Sequence, residues 1–347
     1  MQKKLYFSST IIPGLVSLAM LFASQTLLAS DNVVNIYSAR KEALVLPLLE
    51  RFKASTGIEF NLVTGKADGL LKRLQLEGKG SPADLFITVD AGRLQRAKQA
   101  GVLQPHQSDS LTSLIPRHLR DEDGFWVGLS QRARTIIYAV DRVSVAELSS
   151  YEGLVDEKWK GRICVRSSNN IYNQSLVASL LEAHGEAMTQ TWVEGLVANF
   201  ARPPAGGDTD QIKAVAAGVC DIAIVNTYYF GRLVSSKKDE DKQLVANLRI
   251  FWPNQEDRGV HVNVSGAGLT KHAPHRSQAL QLLEFLATPE SQIFYAEVNN
   301  EYPVIDDVPI SDVLISFGEF KSDRVNLTRL GEKNRTAVEI MDRAGWR

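Results

Sequence analysis

Three tyrosines follow two apolar segments whose patterns predict β-strands. Tyr228 and Tyr229 come shortly after the strand predicted at residues 220–225, and Tyr172 comes shortly after the strand predicted at 162–165. Ligands of α/β proteins tend to bind at the carboxyl ends of strands. The three phenols could therefore converge on one cleft if the two junctions lie side by side.

Phenols of this kind can hold a metal ion, although a phenol is a poor ligand at neutral pH because its pKa is about 10. A strongly polarising cation displaces the proton, and the resulting phenolate is a hard oxygen that suits a hard cation. Three phenolates would neutralise Fe³⁺, whereas Zn²⁺ would be expected with His or Cys. The alternative, more usual for paired tyrosines at strand ends, is packing with hydrogen-bonded hydroxyl groups.

The elements that must position these tyrosines alternate along the chain. Strands are predicted at residues 33–37, 58–63, 85–89, 162–165, 220–225, 249–252 and 260–269. Helices are predicted at residues 43–56, 66–77, 91–100, 173–184, 186–199, 209–217 (capped by Thr209 or Asp210), 276–287 and 334–343. The β-α-β order predicts parallel strands with crossover helices. Two such units, joined by extended segments at 126–140 and 261–269, predict a two-lobed α/β protein.

The first 29 residues have the features of a cleavable signal peptide. Lys3 and Lys4 precede an apolar stretch at 11–23, and small residues near Ala29 and Ser30 offer a cleavage site. The stretch is short for a spanning helix, so an uncleaved anchor is the weaker alternative. We therefore expect export to the periplasm and no stable membrane insertion of the mature chain.

Composition excludes several other functions. In 347 residues, 39 Lys and Arg nearly balance 40 Asp and Glu, so no basic excess indicates nucleic-acid binding. The six histidines lack metal-ligand spacing, and no phosphate-binding loop, nucleophile elbow or zinc-protease motif occurs. We therefore expect a binding protein rather than an enzyme.

Several short motifs resemble those of one family. They are Gly65-Lys66-Ala67-Asp68, Ser81-Pro82-Ala83-Asp84, Arg132-Ala133-Arg134, Trp159-Lys160-Gly161-Arg162, Asn173-Gln174-Ser175-Leu176, Asn226-Thr227-Tyr228-Tyr229, Pro253-Asn254-Gln255-Glu256 and Asn263-Val264-Ser265-Gly266. Together they resemble the periplasmic ferric-ion-binding proteins of ABC-type iron importers, which are extracellular solute-binding proteins. The match runs through nearly the whole mature chain.

The resemblance implies the type II periplasmic-binding-protein fold, an α/β fold with the metal cleft between two lobes. It also implies that Tyr172, Tyr228 and Tyr229 bind Fe³⁺ and that a monomer delivers the ion to an inner-membrane ABC permease and its ATPase. With the sequence pattern, it places lobe 1 at residues 30–133 with 260–310 and lobe 2 at 134–259 with 311–347.

The chain departs from similar ferric-binding proteins after the first strand. Where those proteins carry a metal-binding His-Tyr pair, this chain has Lys41 and Glu42. A protonated lysine cannot bind a metal, so the open positions fall to Glu42 or to a synergistic anion. We favour carbonate or bicarbonate held by Arg40 and Arg132, because the planar guanidinium suits an oxyanion. Surface salt bridging is the ordinary alternative for these arginines.

Other possibilities stay open. Cys164 and Cys220 lie on two predicted strands and could form a disulfide in an oxidising compartment or remain buried thiols. A carrier of the same fold for an oxyanion or small organic cation is the first functional alternative. An exported hydrolase that uses carboxylates such as Glu42 and Asp90 is the weaker one.

Overall fold

The computed structural model describes residues 32–347, so the predicted signal peptide at 1–29 lies outside the described residues. These residues contain the strands β1 (Val33–Ser38), β2 (Glu59–Thr64), β3 (Leu85–Val89), β4 (Leu103–Gln104), β5 (Val127–Ala139), β6 (Ile163–Cys164), β7 (Ile222–Asn226), β8 (Leu248–Phe251) and β9 (Val262–Thr270).

Thirteen α-helices connect and cover the strands of this described part of the chain. They are α1 (Leu46–Thr56), α2 (Ala67–Glu77), α3 (Ala91–Gln99), α4 (Asp109–Leu114), α5 (Ile171–Ala198), α6 (Asp208–Ala216), α7 (Thr227–Val234), α8 (Asp239–Val245), α9 (Arg276–Leu286), α10 (Pro289–Asn299), α11 (Asp312–Ser316), α12 (Leu327–Glu332) and α13 (Asn334–Arg343).

The first strands form the parallel sheet that the sequence predicts. β1 pairs with β2 on one side and β3 on the other, both in parallel register. α1 and α2 make the crossovers, and α1 starts with Pro47 in its first turn, where a missing N–H costs nothing. Gly57 ends α1 at φ +70°, a conformation that glycine adopts without strain. The carboxyl ends of β1 and β3 therefore open onto one edge.

β5 is the strand that links the two groups of strands. Residues 127–133 of β5 pair antiparallel with β9, whereas residues 134–139 pair with β7 and β8. β6 then joins β7 in parallel register. One continuous strand thus serves both groups. The lobe boundaries at 133/134 and 259/260 stay a prediction.

Several elements differ in detail from the predictions. The helices predicted at 173–184 and 186–199 form one element, α5, which starts at Ile171 and is interrupted by Gly185 at φ +76°. The cap predicted at Thr209 or Asp210 is wrong, because Gly207 is the N-cap of α6 and donates its backbone N–H to the Asp210 carboxylate. The strand predicted at 220–225 begins at Ile222. Each shift is one or two residues, because capping depends on side-chain geometry that periodicity does not report.

The C-terminal helices pack against elements of both groups. α12 contacts α3 and α5, and α13 runs along α5. Trp346 is fully buried beyond α13 and donates its indole N–H to the carbonyl of Arg166 at 3.0 Å. No helix among residues 32–347 combines the length and apolar character that a bilayer span requires.

A disulfide joins Cys164 on β6 to Cys220 just before β7, with a Cα–Cα distance of 5.9 Å. Both cysteines are buried in an apolar cluster with Ile212 and Val225. The bond thus fixes two adjacent chain segments that lead toward Tyr172 and the Tyr228–Tyr229 pair.

Candidate metal centre

The three tyrosines lie in the first turns of two helices. Asn170 caps α5 by accepting the backbone N–H of Tyr172 at 3.0 Å, which fixes the start of that helix. α7 begins at Thr227, directly after β7, so Tyr228 and Tyr229 are its second and third residues. Because β6 and β7 are neighbours, the two helix starts lie close together, as the sequence predicts.

The phenols meet at one place. The hydroxyl of Tyr228 donates to the hydroxyl oxygen of Tyr172 at 3.2 Å. The rings of Tyr228 and Tyr229 lie with their centroids 4.3 Å apart and their planes 32° from parallel. Tyr228 is buried, and Tyr172 and Tyr229 are half-buried. Three oxygen donors from two segments thus form one cluster with a side that solvent can reach.

Ionisation of this cluster is unfavourable without a cation. Burial raises the pKa of Tyr172, and the negative charge of a Tyr229 phenolate raises it further. Burial likewise raises the pKa of Tyr228 well above its ordinary value, with repulsion from the other two phenolates adding to it. The Arg132 guanidinium only partly offsets these effects. A highly charged cation is the species that would make all three phenolates favourable.

Two arginines form a buried cluster beside the tyrosines. Arg40 donates to the Glu301 carboxylate through Nη1 at 3.0 Å and Nη2 at 3.3 Å. Arg132 lies 3.7 Å from the same carboxylate, and both arginines donate to the Ser265 hydroxyl. The Ser130 hydroxyl also donates to Glu301. The structure thus brings the two predicted anion-binding arginines together, but with a protein carboxylate between them.

Arg132 keeps hydrogen-bond donors that no protein group accepts. Its Nε and Nη1 atoms are buried without a partner, as is Nε of Arg40. Arg132 and Tyr172 line one narrow polar cavity, and the Arg132 guanidinium carbon lies 5.9 Å from the Tyr228 ring centre. Buried donors without acceptors are rare in proteins, and these atoms are chemically suited to hold an anionic oxygen. The Arg132 guanidinium group thus lies near two of the three phenols.

Asp208, at the start of α6, ties the tyrosine-bearing segments together. Its fully buried carboxylate accepts Nη1 of Arg134 at 3.1 Å, Nη1 of Arg166 at 3.3 Å and the backbone N–H of Asn226 at 2.8 Å. The Arg166 guanidinium in turn lies 5.6 Å from the ring centre of Tyr172. One carboxylate therefore positions the residues just before both tyrosine segments.

The other predicted residues lie in two different environments. Lys41 and Glu42 are exposed, and Glu42 starts a short 3₁₀ helix that ends at Leu44. Asp90 is buried, and its carboxylate accepts from Ser175 at 2.7 Å and from Asn263 at 3.0 Å. Asp90 lines the narrow cavity that Arg132 and Tyr172 also line, whereas Glu42 is exposed.

Four partners in the site were not predicted from the sequence. Glu301, Ser130 and Asp208 lie outside the family-like motifs. Ser265 lies inside such a motif, but the motif assigned it no role. The sequence signal for Glu301 is weak, because it is only an acidic residue after two asparagines. In the structure Asn300 has left-handed backbone and Glu301 is buried. Among residues 32–347, no three His, Cys, Asp or Glu side chains come together to hold a metal ion.

Comparison with known families gives the class of protein. The family described as bacterial extracellular solute-binding protein matches residues 48–320, more than half of the sequence. The chain belongs to that family. The predicted fold class, a two-lobed α/β protein of the type II periplasmic-binding-protein fold, is confirmed by the structural matches described next.

Several proteins whose names mention iron are similar to this chain over most of its length. Iron uptake protein A1 of a Synechocystis strain is 50% identical over 90% of this chain and 87% of its own length. A solved Trichodesmium FutA (IdiA) in complex with iron and citrate ligands is 50% identical and superposes with a TM-score of 0.89, covering 91% of this chain and 100% of that one. The ferric binding protein from Campylobacter jejuni is 39% identical, with a TM-score of 0.86 over 90% of this chain and 100% of that one. The predicted resemblance to periplasmic ferric-ion-binding proteins is therefore confirmed.

Proposed function

We propose that this chain is a periplasmic carrier that captures Fe³⁺ through the phenolates of Tyr172, Tyr228 and Tyr229. The observation that carries the proposal is the meeting of these three phenols at one place. It is supported by relatives that are named as iron uptake and ferric-binding proteins. Iron is the transported cargo, so no chemical turnover is required of the site.

Charge and hardness support Fe³⁺ as the cargo. Phenolate oxygens are hard donors, and three of them neutralise a trivalent ion. Burial and mutual repulsion hold Tyr172 and Tyr228 in the protonated state, so a weakly charged cation gains little from this cluster. Fe³⁺ repays the cost of removing the protons, whereas a divalent ion would leave a buried negative charge.

A synergistic carbonate or bicarbonate completes the coordination in this proposal. The unpaired Nε and Nη1 donors of Arg132 support an anion beside the phenols, whereas Arg40 offers only its Nε because Glu301 occupies both terminal nitrogens. Citrate accompanies iron in the Trichodesmium protein, so an oxyanion partner has a precedent among relatives. Direct ligation by Glu42 is the alternative, and that side chain is exposed.

Transport requires that the cleft open and close. We propose that lobe 1, residues 30–133 with 260–310, and lobe 2, residues 134–259 with 311–347, close on the ion as one monomer. β5 supports this division, because its pairing partner changes from β9 to β7 at Arg134. The closed form would dock on an inner-membrane ABC permease, whose ATPase drives release.

Replacement of the phenols tests the proposal. Wild-type protein loaded with iron in bicarbonate buffer should show a visible phenolate-to-iron charge-transfer band that a chelator removes. Tyr228→Phe and Tyr229→Phe should each weaken the band and iron affinity. Tyr37→Phe serves as the matched control, because the Tyr37 hydroxyl donates to Glu77 at 2.9 Å. An unchanged iron affinity in both cluster variants would show that the ligand assignment is wrong.

The unpaired donors of Arg132 favour one second candidate, a carrier for an oxyanion alone. In that case calorimetry would detect bicarbonate or phosphate binding to iron-free protein, and Arg132→Gln would abolish it. The same protein would show no charge-transfer band with ferric iron.

A further inference from the structure

Glu301 accepts hydrogen bonds from Arg40, the second of the two predicted anion-binding arginines. Its side chain is almost wholly buried and contacts both terminal nitrogens of Arg40, at 3.0 and 3.3 Å. It also accepts the Ser130 hydroxyl and lies 3.7 Å from Nη2 of Arg132. A carboxylate with these partners is held firmly in its ionised form, because the positive charges of Arg40 and Arg132 lower the pKa of Glu301 against the opposing effect of burial.

Only a few N–H groups of the two arginines remain available to hydrogen-bond an anion. With Glu301 in place, Arg40 has one unpaired N–H position, at Nε, and Arg132 has unpaired Nε and Nη1. Ser265 already receives a hydrogen bond from each arginine. A bound anion therefore meets mainly one guanidinium, with a negative carboxylate close behind it. Each added negative charge on the anion is repelled by Glu301 in a poorly hydrated site.

On the basis of the proposed function, we infer that Glu301 determines the specificity of the anion subsite. It restricts the site to a small, weakly charged oxyanion of the bicarbonate class and rejects phosphate and citrate. Two physical effects act together: the carboxylate repels additional negative charge, and it occupies two donors that a larger oxyanion would need. Glu301 touches the arginines rather than the metal, so it acts by selecting the partner anion.

Anion titrations of iron-loaded protein test this inference. Wild-type protein and Glu301→Gln are loaded from ferric nitrilotriacetate, dialysed, and titrated with bicarbonate, phosphate or citrate while the charge-transfer band is followed. Glu301→Gln removes one negative charge and one of the two oxygens that accept from Arg40, so the affinity for phosphate relative to bicarbonate should rise about tenfold or more. Glu290→Gln, at an exposed glutamate, is the control and should keep the wild-type preference.

A second variant covers the case in which Glu301→Gln fails to fold, since it leaves Arg40 without its carboxylate. In the double variant Arg40→Gln with Glu301→Gln, both charges are removed and Arg132 remains. This protein should recover the wild-type preference for bicarbonate.

The outcomes separate the inference from the proposed function. A wild type without any charge-transfer band would refute iron binding itself. An iron-binding wild type whose phosphate-to-bicarbonate preference is unchanged in Glu301→Gln would overturn the role of Glu301. A double variant that prefers phosphate would also overturn it, because the site would then have the wild-type net charge, and no free Arg40 donors, without the wild-type selectivity. A purely structural role predicts equal weakening for all anions.

Discussion

Iron binding should release three protons from the protein, one from each phenol. Burial and mutual repulsion raise the pKa of Tyr172 and Tyr228 above the ordinary value near 10, so both phenols carry protons at pH 7. Tyr229 supplies the third phenol. Protons and Fe³⁺ therefore compete for the same oxygens. The apparent affinity should fall by about three orders of magnitude for each unit decrease in pH, because about three protons must return.

Calorimetry in two buffers of different ionisation enthalpy gives the number of protons released. Iron is supplied as ferric nitrilotriacetate at saturating bicarbonate, and proton uptake by the released chelator is measured without protein and subtracted. Tyr172→Phe should release about one proton fewer than the wild type, since one phenol is gone. Tyr37→Phe should release the wild-type number, because its hydroxyl contacts Glu77.

The difference between wild type and variant isolates the phenol, because any proton change from the anion is common to both. Equal proton release by the wild type and Tyr172→Phe would refute the assignment of Tyr172 as a ligand. A wild-type release of one proton or fewer would refute the three-phenolate site as a whole. A rise in affinity on acidification would contradict the sign of the argument.

Three further predictions concern the scaffold of the site. Serine at both Cys164 and Cys220 should lower the free energy of unfolding by about 4 kcal/mol, from the entropy of closing a loop with a sequence separation of 56; denaturant unfolding that shows no loss would contradict it. Gly231→Ala should speed iron loss to a chelator, because the new Cβ would lie 2.9 Å from Cβ of Asn300 and push α7 away; an unchanged release rate argues against that contact. Asp208→Asn should destabilise the fold by ~3 kcal/mol or more, because two guanidinium groups lose their carboxylate; thermal unfolding at the wild-type temperature would disprove it.

Lys41 and Glu42 stand where the proteins that the sequence resembles have a His-Tyr pair, so a partner anion gains importance in the proposed site. Both side chains are exposed, whereas the adjacent Arg40 is buried and paired with Glu301. In the proposed site, which lacks the His-Tyr pair of the proteins that the sequence resembles, other oxygen donors are needed, and the unpaired donors of Arg132 support an anion in that role. The anion and its selection by Glu301 thus become central to how this chain would hold iron.

Much of the fold follows from local sequence patterns. The strand at Leu85–Val89 and the helix at Asn334–Arg343 have the predicted bounds, because a buried apolar run and an amphipathic period are local signals. The interruption of α5 can also be predicted from the sequence, since glycine favours the positive φ found at Gly185. The exact cap of α6 cannot be predicted from the sequence pattern, because it depends on the position of the Asp210 carboxylate beside the backbone N–H of Gly207.

The sequence alone determined the chemical character of the candidate site. Phenols after two neighbouring strand ends, arginines near a third, and the absence of the usual His-Tyr pair are visible in the order of residues. Strand ends gather functional groups because parallel strands share one edge, so Tyr172 and the Tyr228–Tyr229 pair were expected to meet.

Only the tertiary structure decided how the charges pair. Arg40 and Glu301 are 261 residues apart, and Arg134 and Asp208 are 74 apart, yet each pair is buried in contact. A buried charge must find a partner wherever the fold brings one, and that partner has no fixed spacing in the sequence. The chain order therefore names the groups that could bind iron and an anion, while the packing of distant segments fixes which guanidinium donors remain free.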